Sequence, residues 1–449
     1  MQSITEVVQN LKARWTEELR PDAIEKACCD AGMTWLKSLL NPVVTLQLFF
    51  LQILHGNTAC EHLPQLAKLP FTAAAYCKAR MRLKLDALRF LLERSAASAH
   101  RDVSNVSRWL GHRVFYVDGS SFSMPDTPAL QKFFGQPGGQ AQGCGFPTAH
   151  WLAMMHAGSG RITKMLASPL RTHDMAKTVQ LHPELQPGDV LVADRAFCSF
   201  SHLALLLQRG THGLLRVHQR TIVDFTPQRP HADPRSGKSQ CKKGLPRSRW
   251  LRSLGVTDQI VQWLKPVNSG RPRWMSREQF DALPVSIEVR ELRYSINRKG
   301  FRTKQITLVT TLLDEQLYSL ETLADLYRQR WEIETNFAHL KTTMKMDVLK
   351  CKTVDGVLKE LHVFALIYNL VRQVMLSAAT RQQVDVRRIS FVSALRWLQT
   401  AEPGSTLTNL VVNPLRPNRL EPRVRKRRPK QYPLMKKSRK QLKKDLENK

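Results

Sequence analysis

Twice in this chain a short apolar run ends on an aspartate. In RVFYVDGSSF, Val114 to Val117 run into Asp118 and then glycine; in DVLVADRAF, Val190 to Ala193 run into Asp194. Each reads as a buried strand that delivers a carboxylate at its end. The segments around them are consistent with a mixed sheet. AHWLAMMHAGSGRITKMLASPL reads as two strands around the turn AGSG, DMAKTVQLHPEL as a short helix, SFSHLALLLQRG as a helix and HGLLRV as a strand. The order is strand, strand, strand, helix, strand, helix, strand. A chain of this kind is α/β mixed, and two adjacent strands of one sheet can bring their carboxylates together.

The flanks differ in texture. Residues 1–110 read as helical: NPVVTLQLFFLQIL is a buried helix with proline near its start, and GNTACEHLPQLAKL and FTAAAYCKARMRLKL are two more, with Thr72 as an N-cap. A helix, a break and a helix carrying Lys78, Arg80, Arg82 and Lys84 fits a helix-turn-helix reader of DNA. A plain helical bundle with a basic surface fits equally well. Residues 218 to about 280 are rich in Arg, Lys, Pro, Gly and Ser and read as an insertion with long basic loops. VSIEVRELRYSI and FRTKQITLVTTLLD follow as a hairpin turning at NRKG, and KELHVFALIYNLVRQVML reads as a buried helix. From Leu415 onward there are 15 Lys or Arg against 3 Asp or Glu, which reads as a largely disordered basic tail. The resulting division is 1–110, a helical DNA-binding domain; 111–217 with 310–380, a catalytic core; 218–309, a β-rich basic insertion; and 381–449, a C-terminal region with the tail.

Charge narrows the partners. The chain of 449 residues carries a net charge of +32, with a pI near 10.3, which calls for a polyanion and most simply for nucleic acid. A membrane is excluded as partner: the longest apolar run, VVTLQLFFLQIL, is too short to span a bilayer and holds two glutamines. The first residues have neither a basic stretch nor an apolar one, so no signal peptide is expected. The eight cysteines are scattered without zinc-ligand spacing and read as free thiols of a reducing cytoplasm.

The chemistry gathers in YRQRWEIETNFAHLK. With a helical rotation of roughly 100° per residue, Tyr327, Arg330, Glu334 and Lys341 fall within an arc of about 60°. Ile333, Phe337, Leu340 and Met344 form a core-facing stripe beside them. Alone, Arg330 and Glu334 would be an ordinary i,i+4 pair on a solvated face. With Asp118 and Asp194 upstream, Glu334 becomes the third member of a set of carboxylates. Such a set repels itself unless cations sit within it. It suits two Mg²⁺ ions about 3.5–4 Å apart, which drive in-line displacement at phosphorus. Arg330 and Lys341 would then grip phosphates near the scissile one, and Tyr327 would hydrogen-bond a phosphate through its hydroxyl.

Tyr327, Arg330, Glu334 and Lys341 at this spacing resemble the YREK signature of the insertion sequence 4 family of DDE transposases. YVDGS resembles the first catalytic aspartate of that family, Asp118, and LVADRAF the second, Asp194, followed by Arg195 as a DNA contact. The likeness extends through HGNTAC, AYCKARMRL, GFPTAHWLAMM, KELHVFALIYNLVR and EPRVRKRRPKQYP, from about residue 40 to 440. It implies a ribonuclease H-like core interrupted by a β-rich insertion between the fifth strand and the catalytic helix. It implies catalysis by Asp118, Asp194 and Glu334 through two Mg²⁺ ions, with Mn²⁺ as a substitute. The partners would be double-stranded DNA, both terminal inverted repeats and target, and a second copy of the chain in a homodimeric synaptic complex in the bacterial cytoplasm. A hairpin intermediate is also implied, with a tryptophan of the insertion stacked on a displaced base; Trp263 and Trp274 both lie there. Two other readings keep the fold: a structure-selective nuclease that cuts without joining, and a silent remnant that only binds DNA.

Overall fold

The computed structural model describes residues 19–102, 108–170, 174–232, 244–267, 271–296, 305–401, 406–415 and 435–448. Its N-terminal part is helical, as expected: α1 (Pro21–Asp30), α2 (Pro42–Leu54), α3 (Leu63–Ala67), α4 (Ala73–Arg82) and α5 (Leu85–Asp102). Proline opens α1 and α2, where a missing N–H leaves nothing unpaired. Asn41 caps α2 by accepting from Val44 N at 2.9 Å, and Thr72 caps α4 by accepting from Ala75 N at 3.2 Å.

Nine strands form one sheet: β1 (Val114–Ser123), β2 (Thr148–His156), β3 (Ile162–Pro169), β4 (Val190–Ala193), β5 (His212–Arg216), β6 (Ser248–Gly255), β7 (Asp258–Leu264), β8 (Ser286–Ser295) and β9 (Gln305–Thr310). Their order is β3-β2-β1-β4-β5-β9-β8-β7-β6. β1, β4 and β5 are parallel neighbours; every other pairing is antiparallel. The remaining helices are α6 (Pro128–Phe134), α7 (Asp174–Thr178), α8 (Phe200–Gln208), α9 (Arg277–Asp281), α10 (Leu320–Gln329), α11 (Trp331–Ala338), α12 (Val354–Gln382), α13 (Phe391–Thr400) and α14 (Arg439–Glu447).

Both faces of the central strands are covered, which is why they read as unbroken apolar runs. Val114, Tyr116, Val190, Val192 and Leu214 point into a core made with α1, α2, α5 and α10–α13. Their alternates Phe115, Val117, Leu191, Ala193 and Leu215 point into a second core with α8, α9 and the strands β7 and β8. Helices α1, α2 and α5 therefore share the larger core with the sheet, while α3 and α4 pack with the far side of α2 in a small cluster of Leu48, Leu51, Leu63, Ala67 and Tyr76. α12 is long and apolar enough to cross a membrane, but 78% of its apolar window is buried inside the fold, in keeping with the expected core helix.

Several expectations need correcting. β1 does not end at Asp118; it continues to Ser123, so Asp118 sits within the strand opposite Ala153 of β2. The region read as long loops contains a further hairpin, β6–β7, and the insertion strands extend the core sheet through the β5–β9 pairing. The β8–β9 hairpin is present, while its NRKG turn lies outside the described residues. DMAKTVQLHPEL is α7 followed by a 3₁₀ segment, Val179–Glu184, tightened around Pro183. In the tail, RKRRPK lies outside the described residues, but the run expected to be disordered after it forms α14, capped by Ser438 accepting from Gln441 N at 3.3 Å. The seven described cysteines are free thiols; Cys241 lies outside the described residues.

Candidate active site

The sheet register brings two acids side by side. Val117 of β1 lies opposite Ala193 of the parallel strand β4, and the next residue on each chain is Asp118 or Asp194. The Asp118 carboxylate is steadied by Gly119 N, which donates to Oδ1 at 2.8 Å. Glu334 arrives on α11, whose stripe Ile333, Phe337, Leu340 and Met344 is buried as expected.

The helical segment that carries Tyr327, Arg330, Glu334 and Lys341 is not one regular α-helix. At Arg330 it tightens into i→i+3 bonds: Arg330 N donates to Tyr327 O at 3.1 Å, and Ile333 N to Arg330 O at 3.0 Å. Residues His339–Thr343, which include Lys341, form a π turn. An even 100° spacing therefore misplaces Tyr327 and Lys341 relative to one another.

Arg330 is the hub of the site. Its Nη1 donates to Asp118 Oδ2 at 3.1 Å, and its Nη2 to Glu334 Oε1 at 3.4 Å. Its side chain is 7% exposed, and its Nε has no partner. Tyr327, itself buried, donates its hydroxyl to Asp194 Oδ1 at 3.4 Å, and its ring lies 5.6 Å from the Arg330 guanidinium carbon. Burial pushes the Tyr327 phenol well above its ordinary range, so it is a donor here. Burial also raises Asp118, helped by the charges of Asp194 and Glu334; the Gly119 amide and Arg330 oppose the rise without cancelling it.

Three carboxylates thus converge around one guanidinium. Among the described residues no three His, Cys, Asp or Glu side chains form a group that could hold a metal as they stand. Arg330 stands between two of the three expected ligands, Asp118 and Glu334. The donor chemistry itself suits a divalent cation. All the donors are hard carboxylate oxygens.

The other candidates lie differently. Lys341 Nζ sits 5.1 Å over the Phe122 ring of β1, and burial lowers its pKa. Arg195 is exposed on the turn after Asp194 and donates to Gln219 Oε1 at 2.7 Å. Trp263 donates its Nε1 to the buried Glu291 Oε1 at 2.8 Å, and Trp274 packs against the second core, so each has a structural neighbour. Sequence reading missed Arg216, the last residue of β5, whose charge acts on Tyr327. The signal was present: HGLLR is a third apolar run that ends on a charged residue.

The Transposase DDE domain family matches residues 109–370. The chain is 25% identical over 384 residues to the transposase InsG for insertion sequence element IS4 of Escherichia coli (strain K12), covering 81% of this chain and 79% of that one. It is 19% identical over 304 residues to the transposase for insertion sequence element IS231F of Bacillus thuringiensis subsp. israelensis, covering 62% and 61%. Among solved structures it is similar to a piggyBac transposase synaptic complex with hairpin DNA, with a TM-score of 0.41 and 10% identity over 89% of this chain and 80% of that one. The family match takes in more than half of the chain and every residue of the carboxylate cluster, and the chain belongs to the DDE transposases of the insertion sequence 4 family, enzymes that cut and join DNA with divalent metal ions.

Proposed function

We propose that this transposase moves its own element by cutting and pasting, with Asp118, Asp194 and Glu334 as catalytic carboxylates and metal ligands. The observation that carries this reading is the register of β1 and β4, which sets Asp118 beside Asp194 while Arg330 ties Asp118 to Glu334. Two Mg²⁺ ions held by these oxygens would activate the attacking oxygen and stabilise the leaving one. Tyr327 orients Asp194 through its hydroxyl. Arg330 compensates Asp118 and Glu334 in the absence of DNA; with those carboxylates holding divalent cations, its guanidinium would be free to meet a phosphate beside the scissile one. Lys341, lodged over Phe122, and Arg195, on the exposed turn, supply further phosphate contacts. The substrates are the terminal inverted repeats and a target duplex, and two copies of the chain act together on the two ends.

The test is a cleavage and joining assay. It uses labelled duplex carrying the element's end and its flank, in Mg²⁺ and in EDTA, with wild type and Glu334→Gln. Cutting at the boundary that needs Mg²⁺, disappears in the variant and leads to joined target DNA supports the reading. Cutting without joining replaces it with a nuclease. Binding without any cutting replaces it with a silent remnant.

A further inference from the structure

The layer made by α3 and α4 has only a small core of its own. Leu63, Ala67 and Tyr76 are buried with Leu48 and Leu51 of α2, and Cys60 and Phe71 lie half-buried against them. Polar contacts supply the rest, and Gln52 of α2 is their hub. Its Oε1 accepts from the Tyr76 hydroxyl at 3.0 Å and from Arg80 Nη1 at 2.9 Å, and its Nε2 donates to Thr58 O at 2.9 Å. Arg80, read from sequence as part of a basic surface, therefore turns inward. Its guanidinium lies 4.6 Å over the Phe49 ring, and its Nη2 is 3.1 Å from Cys351 Sγ.

Two thiols face each other across this layer. Cys60 opens a 3₁₀ turn, Cys60–His62, and Cys77 lies on α4 beside the buried Tyr76. Their sulfurs are 3.7 Å apart, and both side chains are half-buried, so a small reagent can reach them. A disulfide has an S–S distance of about 2.0 Å, so the sulfurs need to approach by about 1.7 Å. Side-chain rotation supplies a movement of that size without unfolding either element. The third sulfur nearby, Cys351, is buried and engaged by Arg80, which leaves Cys60 and Cys77 as partners. DNA cutting and joining make no use of either thiol.

We propose that Cys60 and Cys77 form a reversible disulfide by exchange with a low-molecular-weight disulfide, stapling α4 to the 3₁₀ turn. One thiolate of the pair attacks a sulfur of the small disulfide and expels one small thiolate. The second thiolate attacks the first cysteine's sulfur in that mixed disulfide, forms the Cys60–Cys77 bond and expels the other small thiolate. The two thiol protons end on the two released thiols. The protein loses two electrons, and the small disulfide gains them. Burial pushes the Cys60 thiol up to about 11; Cys77 adds to the rise and Arg80 opposes it. Cys60 is therefore protonated at neutral pH, and the bond closes faster as pH rises. It joins residues 17 apart in the chain and so removes freedom from the unfolded state. At its other end α4 is already fixed, because Lys359 Nζ of α12 donates to Met81 O at 3.0 Å.

The test incubates the full-length chain in EDTA with oxidised glutathione or with dithiothreitol. Remaining thiols are blocked with iodoacetamide, and the peptides are mapped by mass spectrometry. Oxidised glutathione should yield linked Cys60 and Cys77 peptides, faster at mildly alkaline than at neutral pH, and dithiothreitol should release them. Cys351→Ser should keep the link. Cys60→Ser and Cys77→Ser should each lose it, leaving the remaining cysteine as a thiol or as a mixed disulfide with glutathione. The oxidised wild type should melt several degrees above the reduced chain, and neither of these two variants should show that gain. Cys60 and Cys77 left unlinked while the exposed Cys29 takes up glutathione would overturn the proposal. Preferential linkage of either residue to another cysteine would overturn it too. A Cys60–Cys77 link that brings no gain in melting temperature would overturn its role as a staple.

Discussion

Arg330 and Asp118 are joined by a 3.1 Å ion pair that places a guanidinium among carboxylates. The same guanidinium reaches Glu334, so one positive charge answers for two of three converging acids. Replacing Arg330 with Ala leaves those acids uncompensated. Stability without metal should fall by roughly 1–3 kcal/mol, less than a fully buried broken pair costs, because Glu334 is 41% exposed. Divalent cations should then raise the melting temperature of Arg330→Ala more than that of wild type. Equal metal-induced shifts in the two proteins would separate Arg330 from the carboxylate site.

Asp118→Ala, Asp194→Ala and Glu334→Gln should each reduce cleavage of the element's end by at least about 10²-fold, more than the loss of an outer-shell partner costs. End binding in EDTA should persist. Cleavage retained in any one variant would remove that residue from the site.

Lys341 lies over Phe122 with a pKa lowered by burial, and the proposal gives it a phosphate. Lys341→Ala should weaken binding to element end and scrambled duplex alike, and reduce the slope of log K against log salt by about one. An unchanged slope would leave Lys341 as a packing residue over the Phe122 ring.

Acid should destabilise the protein well above the range in which its carboxylates titrate. Burial holds His202, His339 and His362 at about 4, and His182 at about 2. His202 Nδ1 is spent on Phe197 O at 2.7 Å, and its Nε2 faces His182 Nε2 at 2.8 Å. The unfolded chain takes up these protons near pH 6.5, and the fold resists them until near pH 4, or near pH 2 for His182. Stability from these groups is full above pH 6.5 and falls as pH drops through 6.5 towards 4, by about 1.4 kcal/mol per pH unit for each proton bound by the unfolded state alone. Urea melts at pH 7, 6 and 5 measure this; equal midpoints would show that the histidines titrate normally in the fold.

What could be read along the chain was whatever depends on near neighbours. Val114–Val117 and Val190–Ala193 announce buried strands because both their faces are covered, and the residues that follow them are the acids of the site. The stripe Ile333, Phe337, Leu340 and Met344 marks the helix and the side it buries. Thr72 declares the start of α4 through a bond to its own chain three residues on.

Only the tertiary structure decided what depends on partners distant in the chain. The β1–β4 register set Asp118 beside Asp194, and pairing with β2 carried β1 past Asp118 to Ser123. Burial to 7% exposure set the Arg330 guanidinium against the Asp118 carboxylate, which answers its charge. Arg80 turned inward onto an amide oxygen, a ring face and a sulfur, those of Gln52, Phe49 and Cys351. Sequence by itself determined which residues could meet at the site and in which local conformations. Long-range pairing and burial determined which of their charges neutralise one another, since the direction of a side chain is set by the packing around it and not by its spacing along the chain.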